Sequence, residues 1–366
     1  MGRKNKKTIF SEILKEINGR TLKKIIDTNN GNKYSKTYTV EDLMKTHFFM
    51  QLNQGSGLRD SKSKFDSSRK LQKEFKMPSV SQLSRMNSTK SVDMFRGLFL
   101  HILEKTSKCL NRTKCASTII NIKIIDSTVL NVGKGLAPDL YYEGDSSAIR
   151  ISTELNRELL LPEKITIVPA KVGERNAIEN YIDDLTAVYL FDRGYCKYKW
   201  YDEMTDRGNR FVSRQHSTTV TEEYKSYYTG VDNLYDYDVT MGTDYSHNKT
   251  RHKYREILSF TEDSNEEFRL VTNIFDLTAE EIVSLYKMRW DIECFFKWVK
   301  QHLSIKKWVG YNLNAISIQI YCALIIYLLL LMIKNKCKYN GSLYDLLRKI
   351  RINLLETFAF KTILSG

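Results

Sequence analysis

The chain has 366 residues, 42% of them apolar and 27% charged, enough to bury a full core and long enough for two or three domains. Its six cysteines, at 109, 115, 196, 294, 322 and 337, include no CxxC pair and no nearby histidines in a zinc spacing, which excludes a cysteine-based metal framework and fits the reduced thiols of a cytosolic protein. The net charge of +14 is uneven: residues 1 to 120 hold 25 Lys and Arg against 10 Asp and Glu, and the rest of the chain is close to neutral.

The N-terminal stretch MGRKNKKTIFSEILKEI is positively charged but has no apolar segment or cleavage site of a secretion signal. Short helical patterns follow, TIFSEILKEI and then TVEDLMKTHFFMQLNQ, the second opened by Thr39 with Asp42 three residues on, an acidic capping arrangement. The polar stretch GSGLRDSKSKFDSSRK is expected to be loop, and SVDMFRGLFLHILEK a third helix. Between them SVSQLSRMN, residues 79 to 87, has the form of the turn and recognition helix of a helix-turn-helix, although Ser-rich helix starts are common. A concentrated basic block is the electrostatic footprint of a phosphate-binding region. A solvated Lys-rich surface would carry the same charge. A basic membrane-surface helix would need a strongly apolar, cation-flanked face that the block lacks.

From residue 119 the period changes. IINIKIIDSTVLNV alternates and is β-branched, reading as a strand that ends near Asp126. LNRELLLPEKITIVPA supplies two more strand-like runs, ERNAIENYIDDL a helical stretch, and TAVYLF a short apolar strand that stops at Asp192. Strands alternating with helices predict an α/β sheet. Residues 201 to 267, rich in Tyr, Thr and Asp, look like a mainly β insertion, after which FRLVTNIF resumes the regular pattern. LTAEEIVSLYKMRWDIECFFKWVKQHL then reads as one long helix, with Thr278 and Glu281 forming a capping box. AISIQIYCALIIYLLLLMI, 315 to 333, is almost long enough to cross a bilayer, but Ser317 and Gln319 interrupt it, and a helix buried in a large core is the better reading.

On a helix turning about 100° per residue, Tyr286, Arg289, Glu293 and Lys300 project at roughly 0°, 300°, 340° and 320°, one polar stripe beside an apolar face. With about 1.5 Å of rise per residue the stripe is about 21 Å long, which suits a polymer better than a small ligand. Glu293 could ligate a metal while Tyr286, Arg289 and Lys300 bond successive phosphates; a set of surface charges with mutual support is the plainer alternative. Asp126 and Asp192 end predicted strands, where sites of open α/β sheets gather, although an isolated Asp is commonly a turn or cap residue. Carboxylates brought together need a cation between them, and Mg²⁺ is the natural one. Trp290, Trp298 and Trp308 have both core and base-stacking readings, of which packing is preferred.

These residues resemble the DDE transposases of the IS4 type, encoded by bacterial insertion sequences. Asp126-Ser127-Thr128 is similar to that family's first acidic motif, Asp192-Arg193-Gly194-Tyr195 to its second, and Tyr286, Arg289, Glu293 and Lys300 match its Tyr-x2-Arg-x3-Glu-x6-Lys signature. The resemblance covers about residues 119 to 333. It implies a ribonuclease-H-like catalytic core over 116–200 and 268–335, a β-rich insertion at 201–267, an all-α basic DNA-binding region at 1–115 and a helical tail at 336–366. It also implies catalysis by Asp126, Asp192 and Glu293 holding two Mg²⁺ ions, with Mn²⁺ able to substitute. Tyr286, Arg289 and Lys300 would grip DNA at the element's terminal inverted repeats, in a homodimer acting in the bacterial cytoplasm at the nucleoid. The activity implied is strand cleavage at the element's ends and strand transfer into target DNA. An inactive DNA-binding derivative, or a ribonuclease-H-like nuclease, is the alternative.

Overall fold

The computed structural model describes residues 7–53, 58–111, 121–134, 137–143, 146–178, 180–195, 197–245, 248–260, 267–305 and 307–357. The first part of the chain forms helices α1 (Ile9–Leu14), α2 (Gly19–Thr28), α3 (Val40–Leu52), α4 (Leu58–Ser67), α5 (Arg69–Gln72), α6 (Val80–Thr89) and α7 (Asp93–Asn111). Strands β1 (Asn121–Lys134), β2 (Tyr141–Glu143), β3 (Ser146–Asn156), β4 (Leu161–Pro169) and β5 (Ala187–Phe191) follow. Helix α8 (Tyr198–Asp206) then precedes strands β6 (Arg210–Arg214), β7 (Thr221–Tyr227), β8 (Leu234–Met241), β9 (Tyr254–Phe260) and β10 (Glu267–Thr272). Last come helices α9 (Ala279–Lys287), α10 (Trp290–His302), α11 (Leu313–Lys336) and α12 (Leu343–Ile352). The chain divides into a mainly helical unit, residues 1–116, 130–149 and 297–366, and an α/β unit, residues 117–129 and 150–296.

In the helical unit the expected cap of α3 is present: the Thr39 hydroxyl accepts from the Asp42 amide, and the Asp42 carboxylate accepts from the Thr39 amide. Helix α2 was not anticipated; Asn18 caps it and it buries Ile26. The polar stretch expected to be loop instead forms α4 and α5, residues 54–57 lying outside the described set. The reason is tertiary: Phe65 and Leu71 are buried, and the Phe65 ring lies 4.9 Å from Phe75 within a cluster that includes Phe10 and Phe49. Burial of two well-spaced apolar residues outweighs a Ser- and Lys-rich composition whose intrinsic preferences are worth tenths of a kcal/mol each.

Helix α11 is long and apolar enough to cross a membrane by length and composition, yet 94% of its most apolar window is buried inside the protein. It packs against α7, α3, α6 and α12, the arrangement expected of a core helix. The two polar residues that interrupt its apolar run are both buried. The Gln319 amide donates to the carbonyls of Ser304 and Lys307 and accepts from the Val309 amide at 3.0 Å, tying down the segment that leads into the helix. Backbone bonds from Ile9 and Phe10 to Glu356 and Leu354 join the first helix to the segment after α12.

The α/β unit is built on one sheet. Its strand order is β2-β3-β1-β5-β6-β10-β9-β8-β7, with β4 off this path and paired to β3. β1, β5 and β6 run parallel, and β6, β10, β9, β8 and β7 continue antiparallel. β6 thus lies among the parallel strands although its residues fall in the segment read as insertion. β5 is buried along its whole length. On one face Phe191 and Phe211 meet Trp200 and Tyr201 of α8, with ring centroids 4.8 to 6.1 Å apart. These aromatic contacts add to the area each ring removes from water.

The expected helix at 174–185 is absent among the described residues: Arg175–Ile178 make a single 3₁₀ turn, and Tyr181–Asp184 are irregular. Ile178, Tyr181 and Ile182 are buried, while the Tyr181 hydroxyl donates to the Ser152 carbonyl and the amides of Asp183 and Asp184 donate to the Tyr189 hydroxyl. The Tyr189 hydroxyl thus satisfies two amides that a helix would otherwise have paired.

One buried titratable group makes the helical unit sensitive to acid. His47 is fully buried, 2.8 Å from the Asn87 side-chain oxygen, and burial, opposed only by that bond, pushes its pKa down to about 4. The unfolded imidazole takes up a proton near pH 6.5, so the folded state binds fewer protons in between and stability falls as pH drops from about 6.5 to about 4, by up to about 3 kcal/mol. Urea unfolding at both ends of that window is expected to show a larger loss for the wild type than for His47→Gln; equal losses would show that this histidine does not set the sensitivity.

Candidate active site

The site begins with a register. In the parallel pair β1–β5 the last matched residues are Ile125 and Phe191, so the residues that follow them, Asp126 and Asp192, leave adjacent strands at the same level. β1 itself does not stop at Asp126 as expected but runs on to Lys134; what ends there is its pairing with β5. Ile125 belongs to the cluster that includes α8, and alternation along a strand turns Asp126 to the opposite face.

The third acid arrives from a broken helix. The single long helix expected over the signature is two: α9 ends at Lys287 and α10 begins at Trp290, so no single angular stripe runs through all four polar positions. Between them the amides of Met288, Arg289, Asp291 and Ile292 bond carbonyls three residues back, a tightened turn. The capping box of Thr278 and Glu281 is present at the start of α9. Tyr286, at the end of α9, is almost fully buried against the Phe268 ring of β10, and its hydroxyl donates to Asp192 at 3.3 Å. Arg289, in the turn, donates to Asp126 at 3.4 Å and to Glu293, in the first turn of α10, at 2.5 Å. One guanidinium therefore draws the strand acid and the helix acid together, and Asp192 is held by the neighbouring tyrosine.

A further pair supports the first motif, and the sequence reading missed it. Arg150, a buried arginine within β3, pairs with Glu174, and both bond the Ser127 hydroxyl, at 2.9 Å each. The Ser127 amide in turn donates to Asp126 at 2.7 Å. A Cβ at Gly194 would come within 2.6 Å of a Glu174 oxygen, so the glycine of the second motif leaves room for an acid beside the first. The available signal was a lone arginine inside the apolar run AIRIS; a charge there has to find a partner.

The electrostatics are those of crowded carboxylates. Burial, with Asp192 and Glu174 nearby, outweighs the Ser127 amide and Arg289 and pushes the Asp126 pKa up to about 6. Burial also raises the Tyr286 hydroxyl, so it remains a donor to Asp192 at neutral pH. Arg289 loses to burial but is held charged by Tyr286, Glu293, Asp126 and Asp192. An all-oxygen set with more negative than positive charge has the chemistry of a site for a hard divalent ion. Among the described residues no three acidic, His or Cys side chains are gathered to ligate one ion; Arg289 bonds two of the three acids.

Of the other candidates, Lys300 lies further along α10, on the part that belongs to the helical unit. Trp298 packs on His302 and Tyr327, and Trp308 donates to the Asn131 carbonyl, as packing residues would. Trp290 is 61% exposed, against the packing preferred for it. Cys109, Cys294, Cys322 and Cys337 are free thiols, and Cys115 and Cys196 lie outside the described residues.

The family described as Transposase DDE domain matches residues 118–329, and one described as Domain of unknown function (DUF4372) matches residues 5–77. The chain is 27% identical, over 63% of its length, to a protein of Geobacillus stearothermophilus named as a probable transposase for insertion sequence element IS5377. The match spans 62% of that relative, less than two thirds of it. It is 25% identical, over 77% of its length and 79% of the relative, to a Synechocystis protein named "Putative transposase for insertion sequence element IS4SA". Among solved structures, a piggyBac transposase synaptic complex with hairpin DNA aligns with 99% of this chain and 83% of its own, at a TM-score of 0.46 and 12% identity.

The raised pKa has a sign that can be measured. The unfolded Asp126 carboxyl ionises near its ordinary 3.8 and the folded one near 6, so the folded state loses stability as pH rises through that interval and stays weakened above it. In chelator, Asp126→Asn is expected to stabilise the fold by about 3 kcal/mol at pH 7.5 and by less than about 1 at pH 4. Thermal unfolding of both proteins at the two pH values checks this, and a gain of the same size at pH 4 would refute it.

Proposed function

The chain belongs to the transposase DDE-domain family, and from that premise we propose that it is a DNA transposase that cleaves strands at the ends of an insertion sequence and joins them to target DNA. The observation that carries the reading is the parallel register that sets Asp126 beside Asp192, with Glu293 tied to Asp126 through Arg289. Parallel central strands with an acid just past the last matched residue of each, and a helix bringing the third, support a ribonuclease-H-like core.

Transposases of this family generally use divalent metal ions. We assign two Mg²⁺ ions, with Mn²⁺ able to substitute, to the oxygens of Asp126, Asp192 and Glu293, where they would supply an activated nucleophile and stabilise charge at phosphorus. The chain's own groups prepare that arrangement: the Ser127 amide and the Arg150–Glu174 pair fix Asp126, and the Tyr286 hydroxyl fixes Asp192. Asp126 and Glu293 could both serve an ion only if Arg289 released at least one of them, and its guanidinium would then be available to a phosphate, the DNA-contact role proposed for Tyr286, Arg289 and Lys300. The reaction is attack at phosphorus: water breaks a P–O3′ bond at the element's end and frees its 3′-hydroxyl, which then attacks a target phosphodiester and expels that strand's 3′-oxygen.

The domain roles follow the same reading: residues 1–115 bind DNA, 116–200 and 268–335 form the catalytic core, 201–267 the insertion, and 336–366 the tail. The partners are the terminal inverted repeats and the target duplex, held by a homodimer at the nucleoid of a bacterial cytoplasm.

Incubated with a duplex from the end of its own element and Mg²⁺, the wild type is expected to nick that duplex, and Asp126→Asn, Asp192→Asn and Glu293→Gln each to lose cleavage by at least about a thousandfold while still binding it. Cleavage at the wild-type rate by any of the three would remove that residue from the site. End binding without cleavage in any divalent ion would point to an inactive DNA-binding derivative, and preference for an RNA–DNA hybrid to a ribonuclease. Lys300→Ala is expected to weaken DNA affinity and flatten its dependence on salt by about one unit of slope; an unchanged slope would exclude a phosphate contact there.

A further inference from the structure

The helical unit contains a cleft of about 320 Å³ between the segment before α3 and the outer face of α6, lined by Tyr34, Lys36, Tyr38, Gln82, Arg85 and Thr89 among others. Both chain segments that build it are free of acids: none occurs between Asp27 and Glu41, or between Glu74 and Asp93. Arg85 is exposed and makes no ion pair among the described residues, and Tyr34 is 88% exposed with the Lys33 ammonium 5.2 Å from its ring centre. An arginine without a carboxylate partner in an acid-free cleft keeps its full positive potential for an anion.

The inner side of α6 is anchored. Leu83, Met86 and Asn87 are buried, Asn87 meets His47, and Asn314 donates to the carbonyls of Asn87 and Lys90. Lys90 reaches across to the Gly31 carbonyl and the Ser35 hydroxyl, fastening the far wall of the cleft to the helix. The outward side chains of α6 are therefore held on a rigid support, as reading residues need to be.

We propose that α6 enters the major groove of duplex DNA at the element's end, with Arg85 and Gln82 reading base edges and Lys36 and Tyr34 holding the adjacent backbone. A major groove admits one helix, arginine pairs with guanine through two bonds, and glutamine does so with adenine. The inference rests on the transposase reading for the identity of the DNA, and narrows the site within residues 1–115 to one helix and one loop.

Duplexes that bind the full chain can be enriched from a random library, in parallel for wild type, Arg85→Ala and Gln82→Ala, with circular dichroism confirming that each variant is folded. The wild type is expected to enrich one motif. Arg85→Ala is expected to lose the guanine preference at one position by about tenfold or more, and Gln82→Ala a neighbouring preference, the other positions being retained. If both variants enrich the wild-type motif with unchanged preferences, α6 is not the reading helix, and the transposase reading is untouched. If the wild type enriches no motif yet nicks DNA with Mg²⁺, the inference about α6 also falls while the chemistry stands. If α6 alters the motif but no divalent ion supports cleavage of the enriched duplex, the helix assignment stands and the transposase reading falls.

Discussion

Everything at the candidate site depends on two strands running the same way side by side. In a parallel pair both chains leave the last matched residues in the same direction, so the residues that follow them lie side by side. Here those residues are Asp126 and Asp192. The sheet can hold them there because β5 is covered on both faces and its aromatic side chains lock against α8. Two acids in one place are costly to the fold, and the rest of the local structure can be understood as an answer to that cost.

The answer is a set of bonds from outside the two strands. Arg289 spans Asp126 and Glu293, the Tyr286 hydroxyl meets Asp192, and Arg150 with Glu174 fixes Ser127 beneath Asp126. Burial of Asp126, with Asp192 and Glu174 close by, outweighs what Arg289 and the Ser127 amide supply, so Asp126 holds its proton to about pH 6. A set of carboxylate oxygens so arranged suits the divalent ions proposed for it.

The sequence shows much of this, unevenly. The acids were legible because each follows an apolar strand or lies on a patterned helix, and the two capping boxes because they are local devices. What escaped was decided at a distance. The break between α9 and α10 cannot be seen in a pattern that stays amphipathic throughout; it comes with the burial of Tyr286 against β10 and an ion pair between Arg157 and Asp291. The helix expected at 174–185 lost to the Tyr181 and Tyr189 hydroxyls, and the loop expected before α5 to Phe65. Glu174 stands as the first residue of the expected helix, and nothing near it in sequence announces its partner, because Arg150 lies on β3.

Helix α11 bears on how the chain is made. A segment of such hydropathy emerging alone from the ribosome would be a substrate for membrane insertion or for self-association. Its packing partners α3, α6 and α7 all precede it in the chain, so they have been synthesised, and are able to fold, before it leaves the exit tunnel. The order of translation thus supplies a shelter in advance, and α12, the partner that follows, has only to close over a helix already lodged.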